Sequence, residues 1–152
     1  MSGISKPGAS SKISVRNLQR AVPVNARDIE KFARRAAQRC LALHQRKGTE
    51  LTRLREIFIW IISDRRMARL HRQFLNQTGP TDVLTFDHGE IFIGAETACH
   101  NARVFGNSLA HEIRLYAVHG LLHLHGFDDR TEAGARKMEK AQQRILREIA
   151  DW

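Results

Sequence analysis

A chain of 152 residues and 17.4 kDa fits one domain, since domains run roughly 100–200 residues, and a chain of this size buries about 68–70% of its unfolded surface without needing a staple. Hydrophobic residues at 42% and charged residues at 27% exclude the collagen-like, disulfide-scaffold and wholly disordered classes. The informative quantity is the charge, +9 from 25 Lys+Arg against 16 Asp+Glu.

Residues 1–12 are rich in Ser, Gly and Lys and carry no periodic apolar face, which predicts a disordered tail, with a single domain over 13–152. Ile13, Val15 and Leu18 predict a short strand. Asn25 then caps a helix with Asp28 in its first turn. Ile29, Phe32, Ala33, Ala36, Ala37, Cys40 and Leu41 recur at helical spacing, which puts Arg34, Arg35 and Arg39 on the outer face. Gln45 to Thr52 reads as a polar loop. Arg55 to Ser63 is a strand whose apolar run predicts cover on both faces. Asp64 caps the next helix, which carries Arg65, Arg66, Arg69 and Arg72 on its exposed side.

Gln77 to Thr81 is a loop, and Val83–Phe86 and Glu90–Gly94 are two strands joined by Asp87-His-Gly as a hairpin turn. The remainder is helical. Glu96 to Phe105 is followed by Ser108 as a cap and a run to His125 that stops at Gly126. Thr131 opens a last amphipathic helix through Met138, Ala141, Ile145, Leu146 and Ile149. About four strands and five helices predict an α/β (α+β) fold, a small mixed four-stranded sheet covered by helices.

The charge is uneven along this layout. Residues 1–72 carry 17 bases and 5 acids, 17 − 5 = +12, and residues 73–152 carry 8 bases and 11 acids, 8 − 11 = −3. Seven of the eight His stand at or after His71. A basic field implies a polyanionic partner, most simply nucleic acid, because neutralised phosphates release counterions. A solvated surface is the plain alternative. Cys40 and Cys99 form no CxxC pattern, which points to small buried residues in a reducing cytoplasm. The apolar run 57–62 is far short of the roughly 20 residues that span a bilayer, so no membrane span is expected, and no apolar core follows the N-terminal lysines to make an export signal.

The chemical signal is His119-Gly-Leu-Leu-His123-Leu-His-Gly-Phe-Asp-Asp129. Histidines four apart on a helix project from one face and reach one ion. A third ligand must come from beyond the helix, and Asp129 follows the break at Gly126 closely enough to swing back. Two His and a carboxylate leave a coordination position open for water, the mark of a catalytic site. Gly120 stands where a zinc protease has its Glu, so a protease reading loses its general base.

The segment HGLLHLHGFDD resembles the signature of the YbeY family, endoribonucleases and ribosomal RNA maturation factors, usually written HGxLHLxGYDH. Thr81-Asp-Val-Leu-Thr-Phe-Asp resembles that family's TDVLSF-type block, and Gly89-Glu-Ile-Phe-Ile and Glu112 fit in order and spacing. The resemblance implies a small metallohydrolase fold, one zinc ion, and single-strand-specific RNA cleavage in small-subunit ribosomal RNA maturation, with the small ribosomal subunit as partner and no nucleotide cofactor. It makes His119 and His123 the first two ligands, with Asp129 where the family usually has a third His. A carboxylate is the harder donor, so another divalent transition metal also fits.

Phe74-Leu75 replaces a Tyr-Arg pair whose Arg is proposed to act on phosphate, and Phe127 replaces Tyr. Beyond a metal-bound water no catalytic group is identified. Arg69 and Arg72 are candidates for the missing positive charge or else solvated surface residues, and Glu112, nearly two turns (about 10 Å) before His119, orients a ligand or pairs with an Arg. His125 is expected at the surface or behind the ligands, Asp128 in a turn, and His100 and His111 as ordinary histidines. The rival functions are an RNA-binding ribosome-assembly factor with a mainly structural metal, and a metal-dependent hydrolase of another substrate. An Fe(II) oxygenase site also uses two His and a carboxylate, but the resemblance lies elsewhere.

Overall fold

The computed structural model describes residues 11–45, 48–79 and 81–150. Ten elements follow in order: β1 Lys12–Asn17, α1 Ala26–Leu41, α2 Glu50–Arg53, β2 Glu56–Ile62, α3 Asp64–Leu75, β3 Val83–Phe86, β4 Glu90–Gly94, α4 Ala95–Phe105, α5 Leu109–Leu124 and α6 Glu132–Ile149. The sheet order is β1-β2-β4-β3. β1, β2 and β4 run parallel, and β3 closes one edge antiparallel to β4, giving the mixed α/β sheet that the sequence predicts.

Period-two alternation along the strands divides the core into two layers. Ile13, Val15, Ile57, Ile59, Ile61, Ile91 and Ile93 project to one face, where α1 and α5 cover them and α6 packs against those two helices. At about 25 cal/mol per Å² of apolar surface buried, this layer is the main source of stability. Ile62, Leu84, Trp60, Phe86 and Phe92 project to the other face against Met67 and Leu70 of α3. A single 12-residue helix covers that face, so Phe58 and Trp60 stack at 5.2 Å but stay half-buried. The expectation of full cover on both faces of β2 therefore holds for only one of them.

Several local expectations need correction. Of the tail expected over 1–12, residues 1–10 lie outside the described residues, while Ser11 is buried with its hydroxyl donating to the Leu54 carbonyl, and Lys12 starts β1. Leu18 lies past the strand and is exposed. The loop expected over Gln45–Thr52 contains a sixth helix, α2, because Thr49 N–H bonds the Thr52 hydroxyl (3.1 Å) and Leu51 is drawn into the core; residues 46 and 47 lie outside the described residues. The cap of α3 is Ser63, whose hydroxyl accepts from Arg66 N–H, one residue before the expected Asp64. Asp64 serves α4 instead, accepting from the Thr97 N–H (3.0 Å) and hydroxyl (2.7 Å). An acceptor at that helix start satisfies a donor the helix cannot.

Candidate metal centre

Ser108 caps α5 by accepting from His111 N–H at 3.1 Å. The helix then runs through the core on Ile113, Ala117, Leu121 and Leu124, which leaves His119 and His123 on the flank toward β3. Their Nε2 atoms lie 3.0 Å apart. The helix ends at His125, and Gly126, at φ 88°, reverses the chain. The returning segment brings Asp129 Oδ2 to 3.6 Å from His119 Nε2 and 3.9 Å from His123 Nε2. Among the described residues these three are the group of His, Cys, Asp and Glu whose donor atoms converge, all within 4.8 Å of one another.

The partners of the other ring nitrogens fix the tautomers. His119 Nδ1 faces Gln142 Oε1 of α6, and the Gln142 amide orientation is set in turn by Nε2 donating to Glu139 Oε2 at 3.1 Å. His123 Nδ1 faces the Phe127 carbonyl at 3.2 Å. Both partners are acceptors, so both Nδ1 atoms carry the proton. In neutral rings the two Nε2 lone pairs then point at each other across 3.0 Å beside a carboxylate, a repulsive arrangement that a cation relieves. Burial, and then the charge of His119, hold the His123 pKa below its ordinary value and so favour the neutral form that ligates metal. Donors about 2.0–2.1 Å from a tetrahedral ion stand roughly 3.3 Å apart, and the separations of 3.0 to 3.9 Å bracket that value. The residues fit a divalent metal.

Three cavities, of about 590, 340 and 190 Å³, meet at the cluster, and both Asp87 and His123 line all of them. The smallest runs between edge strand β3, at Val83 and Thr85, and the histidine flank of α5. Its wall is the outer edge of the sheet.

The other site expectations fare unequally. Glu112 is buried, accepts from Asn107 Nδ2 at 2.8 Å, and is not brought to the histidines or to an Arg. Arg69 and Arg72 are exposed on α3, across the sheet from α5, and line none of the three cavities. His125 is neither a surface residue nor behind the ligands: it is buried, its Nε2 bonding the Leu43 carbonyl (2.8 Å) and its Nδ1 the Thr49 hydroxyl (2.9 Å). It pins the start of α2 to the end of α5. Asp128 is a turn residue, held below the usual carboxylate range by hydrogen bonds from Arg130. Sequence reasoning missed Gln142, whose only sequence signal is a polar residue on the buried face of α6, and gave no role to Asp87, which closes the Thr81-Asp-Val-Leu-Thr-Phe-Asp block and opens the hairpin turn.

A family model described as Endoribonuclease YbeY matches residues 14–150. Proteins named Endoribonuclease YbeY are similar to the chain: that of Moorella thermoacetica at 36% identity, covering 60% of this chain and 70% of the relative, and that of Gluconobacter oxydans at 34%, covering 76% and 73%. The fold matches the solution structure of TM1509 from Thermotoga maritima, with a TM-score of 0.59 and 24% identity over 90% of each chain. With that match running from β1 to the end of α6 and taking in the His119/His123 pair, the chain belongs to the YbeY family.

Proposed function

We propose that the protein is a single-strand-specific, metal-dependent endoribonuclease that works on small-subunit ribosomal RNA in the cytoplasm, with zinc held by His119, His123 and Asp129. The observation that carries this reading is the convergence of two tautomer-fixed Nε2 atoms and one carboxylate in a chain of the YbeY family. Family membership supports RNA as the substrate, and the ribosomal role extends it. The carboxylate in place of a third imidazole remains within zinc's ligand range.

A divalent ion in this set supplies Lewis acidity to a phosphoryl oxygen and to water. The chain does the rest. Gln142 and the Phe127 carbonyl hold the protons on the two Nδ1 atoms, so Nε2 stays a donor to metal through the reaction. Asp87 lines the same cavities as His123, and we assign its carboxylate the proton of the attacking hydroxyl. The cavity along β3 takes an extended strand, with bases splayed beside a sheet edge, more readily than a stiff duplex.

The test compares metal content and cleavage of single-stranded and duplex RNA by wild type, His119→Ala, His123→Ala, Asp129→His and Asp87→Asn. Metal and cleavage should vanish together in the two alanine variants. Asp129→His should keep the metal with altered affinity, and Asp87→Asn should keep the metal and cleave 10²–10⁴-fold more slowly, the usual range for a lost general base. An alanine variant that loses metal yet folds and supports RNA processing as well as wild type would favour the assembly-factor reading.

A further inference from the structure

Helix α3 carries Arg65, Arg66, Arg69 and Arg72, all exposed. Five other arginines are tied to acids: Arg34 to Glu30, Arg39 and Arg144 to Glu148, Arg53 to Glu50, and Arg130 to Asp128. Among the described residues the four α3 side chains make no hydrogen bond, ion pair or ring contact. The one acid of the helix, Asp64, is committed to Thr97 at the start of α4. The start of the row also opposes the helix's own electrostatics, whereas Arg72 in the last turn complements them. Arg65 and Arg66 occupy the first turn, where the partial positive charge of the helix end repels cations. Arg65 and Arg69, and Arg69 and Arg72, are like-charged neighbours at i,i+4 and i,i+3. A self-repelling row without internal counter-charge is relieved by an external polyanion.

Two anionic surfaces fit such a row, RNA and an acidic membrane. An interfacial helix must bury its apolar face in lipid. Most of that face of α3 is spent on the sheet, with Met67 fully buried and Leu70 packed beside Ile62, Leu84 and Trp60, and the exposed apolar residues of the helix, Phe74 and Leu75, are confined to its last two positions instead of forming a stripe along it. All four bases are Arg, whose fork matches phosphate oxygens bidentately. The row spans about 10 Å, the length of roughly three phosphates in a stacked strand at about 3.4 Å each. It also leads to the metal centre. Phe74, in the last turn of α3, meets Phe86 edge-on at 5.4 Å, and the next residue, Asp87, lines the cavities around His123.

We propose that the α3 arginine row is a second RNA-binding surface, which holds by its phosphates the segment flanking the cleavage point as the strand passes around edge β3 toward the histidines. This rests on the endoribonuclease reading for the identity of the polyanion.

The test measures binding of labelled single-stranded RNA by metal-free full-length protein over a range of salt, so that cleavage does not enter. An Arg65→Gln/Arg66→Gln/Arg69→Gln protein is compared with an Arg34→Gln/Arg39→Gln/Arg144→Gln protein, which loses the same charge from paired sites. The α3 triple should bind at least tenfold more weakly at low salt. The slope of log K against log salt should fall by about 2, three phosphates at about 0.7 each. Lysine at the same three positions should restore the slope, and the control should bind within twofold of wild type. Equal weakening in both triples, or none in either, overturns the proposal. Loss of binding to phosphatidylserine vesicles with RNA binding intact overturns it in favour of lipid. If metal-loaded wild type fails to cleave RNA while the α3 slope loss is seen, the cleavage reading falls and the docking surface stands.

Discussion

A methyl group at Gly120 would strike the sheet beneath the metal centre. Built on this backbone, its Cβ stands 2.8 Å from both Cδ1 and Cγ2 of Ile91 and 3.0 Å from Cγ1. Carbon atoms settle at about 3.5–4.0 Å, so roughly 1 Å must be found. Ile91 is fully buried on β4, so its retreat must displace neighbours in the core. Overpacking of this kind costs about 1–3 kcal/mol, while replacing a helical Gly by Ala returns about 0.8–1.0 kcal/mol. The net expectation for metal-free Gly120→Ala is a loss of about 1 kcal/mol, or about 2–4 °C in Tm for a chain of this length.

His119 is the preceding residue, and ligand positions must hold within about 0.2 Å, so zinc affinity should fall along with stability. Denaturant unfolding of the metal-free variant and a chelator competition for zinc measure the two effects. A double-mutant cycle with Ile91→Ala should return a favourable coupling of about 0.5–3 kcal/mol, because that change removes the struck atoms. A Gly120→Ala protein about 1 kcal/mol more stable than wild type, and additive with Ile91→Ala, would refute the packing argument.

Gln142→Leu keeps the volume of the side chain and removes the acceptor at His119 Nδ1; zinc affinity measured by competition should fall about 10–100-fold, the range for loss of a hydrogen bond behind a ligand. Tyr116 is the single tyrosine, and its pKa is pushed upward, first by burial and then by the neighbouring Glu112. An absorbance titration of the native protein should therefore show no ionisation near pH 10. Because the unfolded chain releases that proton first, the contribution of Tyr116 to stability is present below about pH 10 and is lost as pH rises beyond it, which melts across alkaline pH will report. Burial likewise pushes the Cys40 thiol up, so a thiol reagent at pH 8 should modify Cys99 in the native protein and both cysteines only after unfolding.

The legible parts of the fold are those whose signals are local. Helices α1, α5 and α6 show their caps at Asn25, Ser108 and Thr131 and their apolar stripes within their own residues, and the hairpin shows its turn at 87–89. Helix α2 has four residues, too few for any period, and forms because Leu51 is pulled into a core assembled elsewhere. Neighbouring Ser63 and Asp64 are both good caps, and the choice between them was made by Thr97, 33 positions beyond Asp64.

At the site, the i,i+4 spacing of His119 and His123 is legible because a helix imposes it. Gly120 replaces the Glu of a zinc protease because that position faces β4 rather than the cluster, which only the packing reveals. A helix continued through His125 carries its ring away from the cluster, to the surface or behind the ligands, but the helix stops there and the ring is buried. Gln142 reaches His119 only when α6 docks on α5, an arrangement with no local signal.

The central claim is that one ion held by His119, His123 and Asp129 carries the cleavage of RNA. Zinc titrated into metal-free protein, with cleavage of a single-stranded RNA followed at each addition, tests it most directly. Cleavage should be absent at the start, rise in proportion to added zinc and level off at one equivalent per chain. Full cleavage before any metal is added, or a rise that ignores the occupancy of the histidine cluster, would contradict the account.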